Sequence, residues 1–144
     1  MSFSQLHDFL EEQSDNFTEF SDGTFSIELD SKTTNFEYSA FFTRTQSKYG
    51  DVRVTIVLPI IGKAPESFLE LCAKLHSDLP KLSARFDSNP SCFRVATTIS
   101  SDNFPVEMSE MVRICDGLSQ LLRSGNRYSY KEFLLAATPP LGTA

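Results

Sequence analysis

The chain has 144 residues, 40% of them hydrophobic and 22% charged, with a formal net charge of −6; this is the size and composition of one globular domain. It contains no run of 18 apolar residues, so the sequence predicts no membrane-spanning helix. Its three cysteines and two histidines show no zinc-type spacing, which excludes the common structural zinc motifs.

The cysteines and the N-terminus indicate a compartment. Cys72, Cys92 and Cys115 form no CxxC pair and are odd in number, as is usual for reduced and mostly buried thiols. The stretch from Met1 to Leu10 contains no Lys or Arg and no continuous apolar run, so we expect no secretory signal peptide. Together these features predict a cytoplasmic protein.

Charge is distributed unevenly along the chain. Residues 1–31 hold eight acidic residues and no Lys or Arg, whereas the rest of the chain holds 11 acidic and 13 basic residues. Nucleic-acid-binding domains usually present a basic face, so this distribution argues against a nucleic-acid partner. The acidic segment is either a docking surface for a basic partner or a solvated face, and the second is the more common case.

The N-terminal half predicts one helix and three strands. Ser2 and Gln5 have capping-box spacing, and apolar residues then recur at helical spacing until the helix ends near Gln13. Asp22-Gly23 indicates a turn. Three alternating segments with short links follow and predict an antiparallel meander; they cover Phe25 to Asp30, Phe36 to Phe42 and Val52 to Leu58.

The C-terminal half predicts a helix, a hairpin and a long helix. Pro65 suits a first helical position, and the apolar stripe from Phe68 to Leu79 is the strongest helical pattern in the chain. Leu82 to Phe86 and Phe93 to Ile99 alternate as the two strands of a hairpin. The stripe from Met108 to Leu122 has the length of a long closing helix.

These elements specify an α+β domain with a five-stranded antiparallel sheet and helices on one face, in the order α-βββ-α-ββ-α. We assign residues 1–137 to this single domain and expect a flexible tail over residues 138–144. Ser101 or Asn103 is predicted to cap the start of the long helix, and Gly125 is a plausible residue just after its end. Ser129 and Glu132 have capping-box spacing and predict a further short helix.

The sequence carries no recognisable catalytic or metal-binding constellation. His7 and His76 lie in separate elements, and a lone histidine of this kind is more often a surface residue than a ligand. The carboxylate pairs Glu11-Glu12 and Glu107-Glu110 fall on predicted exposed helix faces, where solvated charge is the simpler interpretation. Cys115 lies on an apolar stripe, which indicates a core residue rather than a nucleophile. We therefore predict no enzymatic activity, no cofactor and no metal site.

Two sets of apolar residues exceed what the predicted core needs. In the first helix the apolar residues pack either on their own domain or on another chain, and Phe20, Phe41 and Val57 fall out of phase with the inward set of their strands. Surplus apolar side chains of this kind mark a contact surface or belong to the ordinary scatter of surface aromatics. The residues predicted to bind a protein partner are Phe3, Leu6, Phe9, Leu10, Phe20 and Phe41.

The chain resembles the YbjN family, whose fold is that of the type III secretion chaperones, over about residues 4–125. The resemblance rests on patterns of apolar residues in three stretches. These are Val52 to Pro59 as the third strand, Phe68 to Leu79 as the following helix, and Phe93 to Ile99 with Phe104-Pro105 and the helix through Leu122 as the last strand and closing helix.

The resemblance implies a non-enzymatic, often dimeric, cytoplasmic domain that binds protein, with a chaperone-like or regulatory role and no catalytic residues to transfer. The aromatic strands and the extension from Tyr128 to Leu135 depart from the secretion chaperones, so a dedicated type III secretion chaperone is the second interpretation. A third is a small-molecule-sensing domain, suggested by the Phe-rich interior with Met108 and Met111. A homodimer through helix 64–79 or the outer sheet face is also predicted.

Overall fold

The computed structural model describes residues 2–14, 16–30, 37–45, 51–59, 67–88, 91–100, 102–123 and 130–137. They form one antiparallel sheet and four helices. The helices are α1 (Phe3–Gln13), α2 (Ser67–Asp78), α3 (Phe104–Arg123) and α4 (Tyr130–Ala137). The strands are β1 (Phe17–Glu19), β2 (Phe25–Asp30), β3 (Glu37–Arg44), β4 (Asp51–Pro59), β5 (Ser83–Ser88) and β6 (Ser91–Ser100).

The α+β class is confirmed, but the strand count needs a correction. The predicted sheet had five strands, and the described sheet has six, in the order β1-β2-β3-β4-β6-β5. The additional strand is β1, whose three residues pair with β2 from Phe17↔Ile27 to Glu19↔Phe25. Three residues are too few to show an alternating pattern in a sequence, which is why this strand was not predicted. The short helix predicted after the long one is present as α4, although the predicted element order did not include it.

The turn between β1 and β2 sets the position of the new strand. Asp22 Oδ1 accepts a hydrogen bond from the Thr24 backbone N–H at 2.9 Å, and the Phe20 N–H donates to the Thr24 carbonyl at 2.8 Å. Gly23 has φ +89°, a backbone conformation that side chains with a Cβ rarely adopt. The turn predicted at Asp22-Gly23 is therefore present and returns the chain beside β2.

One face of the sheet holds the core. A row of buried side chains crosses four strands, because Phe25 pairs with Phe42, Phe42 with Val54 and Val54 with Thr97. We call this face the inner face and the opposite one the outer face. Helical residues join the same core; they are Leu6 and Leu10 of α1, Leu75 of α2, Phe104, Met108, Met111, Cys115 and Leu118 of α3, and Phe133 and Ala137 of α4.

The helix termini follow local rules where they are described. The Gln5 N–H donates to Ser2 Oγ at 3.1 Å and the Ser2 N–H donates to Gln5 Oε1 at 2.7 Å. This is the predicted capping box, and α1 ends at Gln13 as expected. None of the helices in the described ranges combines the length and the apolar character needed to cross a bilayer. Other predictions concern positions outside the described residues, namely Pro65, Ser101, Gly125, Ser129 and residues 138–144.

The last helix, α4, is attached to α2 and to α3. Phe133 is fully buried, and the Tyr130 hydroxyl donates to Asp78 Oδ2 on α2 at 2.6 Å. Burial, together with this hydrogen bond, raises the pKa of Tyr130. The Arg113 guanidinium of α3 donates to the carbonyls of Ala136 and Ala137, so a cation satisfies the C-terminal carbonyls of α4. The helix is therefore held at both ends.

The conformation of Gly23 predicts how substitutions there affect stability. No heavy atom lies within 4 Å of a Cβ built on Gly23, so Gly23→Ala introduces backbone strain without a steric clash. We expect it to lower the free energy of unfolding by about 1–2 kcal/mol, the cost of a left-handed backbone for a residue with a Cβ. Gly23→Asn should cost less, because Asn tolerates this region. Urea denaturation measures both, and equal stabilities of the two variants would contradict the strain argument.

Candidate functional site

The apolar stripe of α1 is mostly occupied by its own domain. Leu6 and Leu10 are buried in the core, and Phe3 is half-buried against Phe25 with ring centroids 5.4 Å apart. The Arg44 guanidinium lies over the Phe3 ring, with its central carbon 5.0 Å from the ring centroid. Phe9, in contrast, is 42% exposed. Of the four residues predicted on this helix, Phe9 alone remains available to a partner.

Phe20 and Phe41 meet on the outer face of the sheet. Their rings stack with centroids 6.1 Å apart and planes inclined by 28°. Phe20 is 42% exposed and Phe41 is half-buried. We call these two residues the outer aromatic pair. The prediction that they lie out of phase with the core is confirmed. Their stacking on each other could not be predicted from the sequence.

The neighbours of Phe41 explain why its ring stays accessible. Across the sheet it pairs with Ser26 of β2 and with Thr55 of β4, which are both small. Val57, two residues along β4 from Thr55, shares the outer face and is half-buried. The backbone bond from Phe20 to Thr24 fixes the start of the turn, so the second ring is placed beside the first by the β1–β2 turn.

The other half of the outer face is polar and rich in arginine. Arg94 Nε lies 2.5 Å and Arg85 Nη2 lies 3.4 Å from the same carboxylate oxygen of Asp87. Arg53 on β4 donates to Thr98 Oγ1 at 3.5 Å. The outer face therefore has an aromatic half on the β1–β3 side and an arginine half on the β4–β6–β5 side.

A second constellation joins α1 to β1. His7 Nδ1 lies 3.1 Å from Asp8 Oδ1 and 3.8 Å from Glu11 Oε2, and its Nε2 lies 3.4 Å from Glu19 Oε2. One ligand atom from each of His7, Glu11 and Glu19 can be chosen so that all three lie within 4.8 Å of one another. We call His7, Asp8, Glu11 and Glu19 the His7 cluster. An imidazole and carboxylates at this separation are able to hold a metal ion.

The imidazole of His7 is held in place by aromatic edges. Its ring makes T-shaped contacts with Phe17, at a centroid distance of 5.0 Å, and with Phe25, at 5.2 Å. The His7 side chain is 17% exposed, whereas the other histidine, His76, is exposed. The hydrogen bond with Asp8, then the proximity of Glu19 and Glu11, raises the pKa of His7 above its usual value, against the opposite effect of burial.

The thiols are placed as the sequence suggested. Cys92 and Cys115 are buried, Cys72 is half-buried, and all three are free. Burial raises the pKa of both Cys115 and Cys72. A thiol is a weaker nucleophile when its thiolate is disfavoured, so these residues have the character of core side chains. Met108 and Met111 are likewise buried and belong to the same core.

The His7 cluster escaped sequence analysis because one of its members comes from a distant element. His7 and Glu11 are one helical turn apart, and this spacing alone places them on the same face. Glu19 reaches them through β1, the strand that the sequence did not reveal. The i,i+4 pair was the only available signal, and it is too common on acidic helices to indicate a ligand set.

No family model matches this chain, and neither a curated protein nor a solved structure matches it.

Two neighbouring positions on α1 test the division between core and surface. Leu6→Ala removes a fully buried side chain and should lower the free energy of unfolding by about 2–5 kcal/mol, because a cavity replaces packed atoms. Phe9→Ala changes a position that is 42% exposed and should lower the free energy of unfolding by less, about 1 kcal/mol or below. Chemical denaturation measures both. Similar losses in the two variants would show that Phe9 is also a core residue.

Proposed function

We propose that this chain is a non-enzymatic protein-binding domain of the chaperone-like or regulatory type that its resemblance to the YbjN family implies. The proposal is supported above all by one observation, the stacked Phe20 and Phe41 on the outer face. Every described helix packs its buried residues against the inner face, so within the described ranges no helix covers this pair.

The energetics of the outer aromatic pair favour a protein partner. Burying a large apolar side chain contributes about 1.5–3 kcal/mol, and an aromatic ring has few rotatable bonds whose freedom is lost on binding. Protein interfaces are enriched in aromatic residues at their centre and in arginine, with a polar rim. The arginine half of the outer face, with Arg53, Arg85 and Arg94, supplies such a rim beside the rings.

A second copy of the chain is one possible occupant of this surface, as the predicted homodimer requires. A two-fold interface brings the same patch of both protomers together, and aromatic pairs are suited to such self-complementary contact. The alternative occupant is a segment of a different protein. These two outcomes differ in the mass of the purified chain, which light scattering measures as a function of concentration.

The partner experiment uses the full chain as bait in a native cell extract, with captured proteins identified by mass spectrometry. Phe20→Asp combined with Phe41→Thr should abolish capture, because it removes both rings and adds a charge. Leu135→Asp is the matched control, since it also replaces an exposed apolar side chain with a charge, but on α4 and away from the outer face. We expect this control to capture the partner at the wild-type level.

Circular dichroism and thermal melting establish first that the double variant folds. If it unfolds, Phe20→Asp alone replaces it, because Phe20 is the more exposed ring. A stoichiometric partner that the folded aromatic variant retains, or that is lost equally in Leu135→Asp, would contradict the assignment of the outer aromatic pair. A wild-type chain that captures nothing and stays monomeric at all concentrations would contradict the proposed function itself.

A further inference from the structure

We propose that His7, Glu11 and Glu19 form a binding site for a divalent transition-metal ion of the zinc type, which links α1 to β1. The site is separate from the outer aromatic pair, because Glu19 pairs with Phe25 on β2 and its carboxylate meets α1 over the inner face. The inference is therefore independent of the proposed function.

The state of the two imidazole nitrogens points to a cation. Nδ1 lies 3.1 Å from Asp8 Oδ1 and is placed to donate to it. With the proton on Nδ1, the lone pair of Nε2 faces Glu19 Oε2 at 3.4 Å. Nε2 is shielded from solvent and makes no hydrogen bond within the described part of the chain. A lone pair beside a carboxylate is unfavourable unless a positive charge lies between them. Either a second proton on the ring, which the surrounding carboxylates favour by raising the pKa of His7, or a bound metal ion supplies that charge.

A metal ion at this position satisfies both groups. Zinc bonds to nitrogen and oxygen ligands at about 2.0–2.2 Å, which places the ligand atoms of a tetrahedral site about 3.3–3.6 Å apart. The Nε2-to-Glu19 separation of 3.4 Å already lies in this range. Asp8 would then accept from Nδ1 and hold the ring in the correct tautomer, as carboxylates commonly do behind a metal-binding histidine.

Glu11 completes the ligand set from the neighbouring turn of α1. Its Oε2 lies 3.8 Å from Nδ1, the ring nitrogen beside Asp8, and its side chain is 57% exposed, so Glu11 has to rotate along the edge of the ring to reach an ion at Nε2. Glu19 is 56% exposed and can move aside to admit the ion. The histidine, in contrast, is fixed between Phe17 and Phe25. One rigid ligand and two adjustable ones leave a fourth position for water.

The local charge favours a cation and the ligand types select its class. Residues 1–31 hold eight acidic residues and no Lys or Arg. Arg44 lines the same cleft, of about 240 Å³, but its guanidinium lies over Phe3. Calcium and magnesium prefer all-oxygen sites with six or more ligands, whereas one imidazole with two carboxylates suits zinc and its neighbours in the transition series.

The test is a titration of the metal-free full chain with ZnCl2, followed by calorimetry and by NMR of the imidazole protons. The chain has two histidines, so the readout is internally controlled. We expect one Zn²⁺ per chain, a shift of the His7 signals with those of His76 unchanged, and a higher melting temperature, because the ion binds the native state. CaCl2 at the same concentrations should produce none of these changes.

Single substitutions distinguish Zn²⁺ binding at this site from non-specific attraction to acidic residues and from binding to a cysteine thiol. His7→Gln and Glu19→Gln should each weaken Zn²⁺ binding by about tenfold or more. Glu12→Gln removes one acid from the same helix outside the cluster and should bind as the wild type does. Cys72→Ser removes the more exposed thiol and should also leave binding unchanged.

Three results would overturn the site. The first is a wild-type chain whose His7 signals do not respond to Zn²⁺, which would mean that a proton alone occupies the space beside Nε2. The second is equal affinity in Glu19→Gln and Glu12→Gln, which would indicate non-specific attraction. The third is loss of binding in Cys72→Ser. The NMR readout needs no variant, so the proposal stays testable even if His7→Gln fails to fold.

Discussion

Successive side chains of a β-strand point to opposite faces of a sheet, and in this chain the two faces have different environments. The inner face is covered by helices and carries the row from Phe25 to Thr97, which crosses four strands. Every other assignment depends on this register. A shift of one residue would bury Phe41 and expose Phe42. The position of the outer aromatic pair is thus a direct result of the pairing that forms the core.

An aromatic column joins the sheet to two of its helices. Phe25 and Phe42 stack with centroids 5.0 Å apart, Phe3 packs on one end and Phe104 on the other, at 6.1 Å from Phe42. The column connects α1 to α3 along the inner face of the sheet. It accounts for part of the unusual composition, 13 Phe and no Trp, since phenyl rings stack in a core without a buried N–H that needs a partner.

The sequence revealed those features that depend on local patterns. Local patterns include the capping box at Ser2 and Gln5 and the alternation of apolar and polar residues along β2, β3, β4 and β6. The out-of-phase positions of Phe20 and Phe41 were also visible in such a pattern. What it did not reveal is non-local or very short. The strand β1 has too few residues for a periodic signal, and its absence from the prediction also concealed the approach of Glu19 to His7.

The same limit applies to the apolar stripe of α1. Its spacing predicts an amphipathic helix but not what the helix packs against, so Leu6 and Leu10 could not be distinguished from Phe9 as partner-binding residues. Burial resolves this, because two of these side chains are in the core and one is not. Tertiary contacts, rather than propensity, decide which part of a short helix is stable and which part is free.

The order of strands in the sheet has a consequence for how the chain folds. The central strand β4 pairs on one side with its sequence neighbour β3 and on the other with β6, so that Asp51 meets Ser100. The second ladder can form only after α2 and β5 have been synthesised, and closing such a long loop is entropically costly and slow. During translation, the N-terminal helix and the first strands emerge long before their sheet can be completed, and their aromatic side chains stay without their final cover until then.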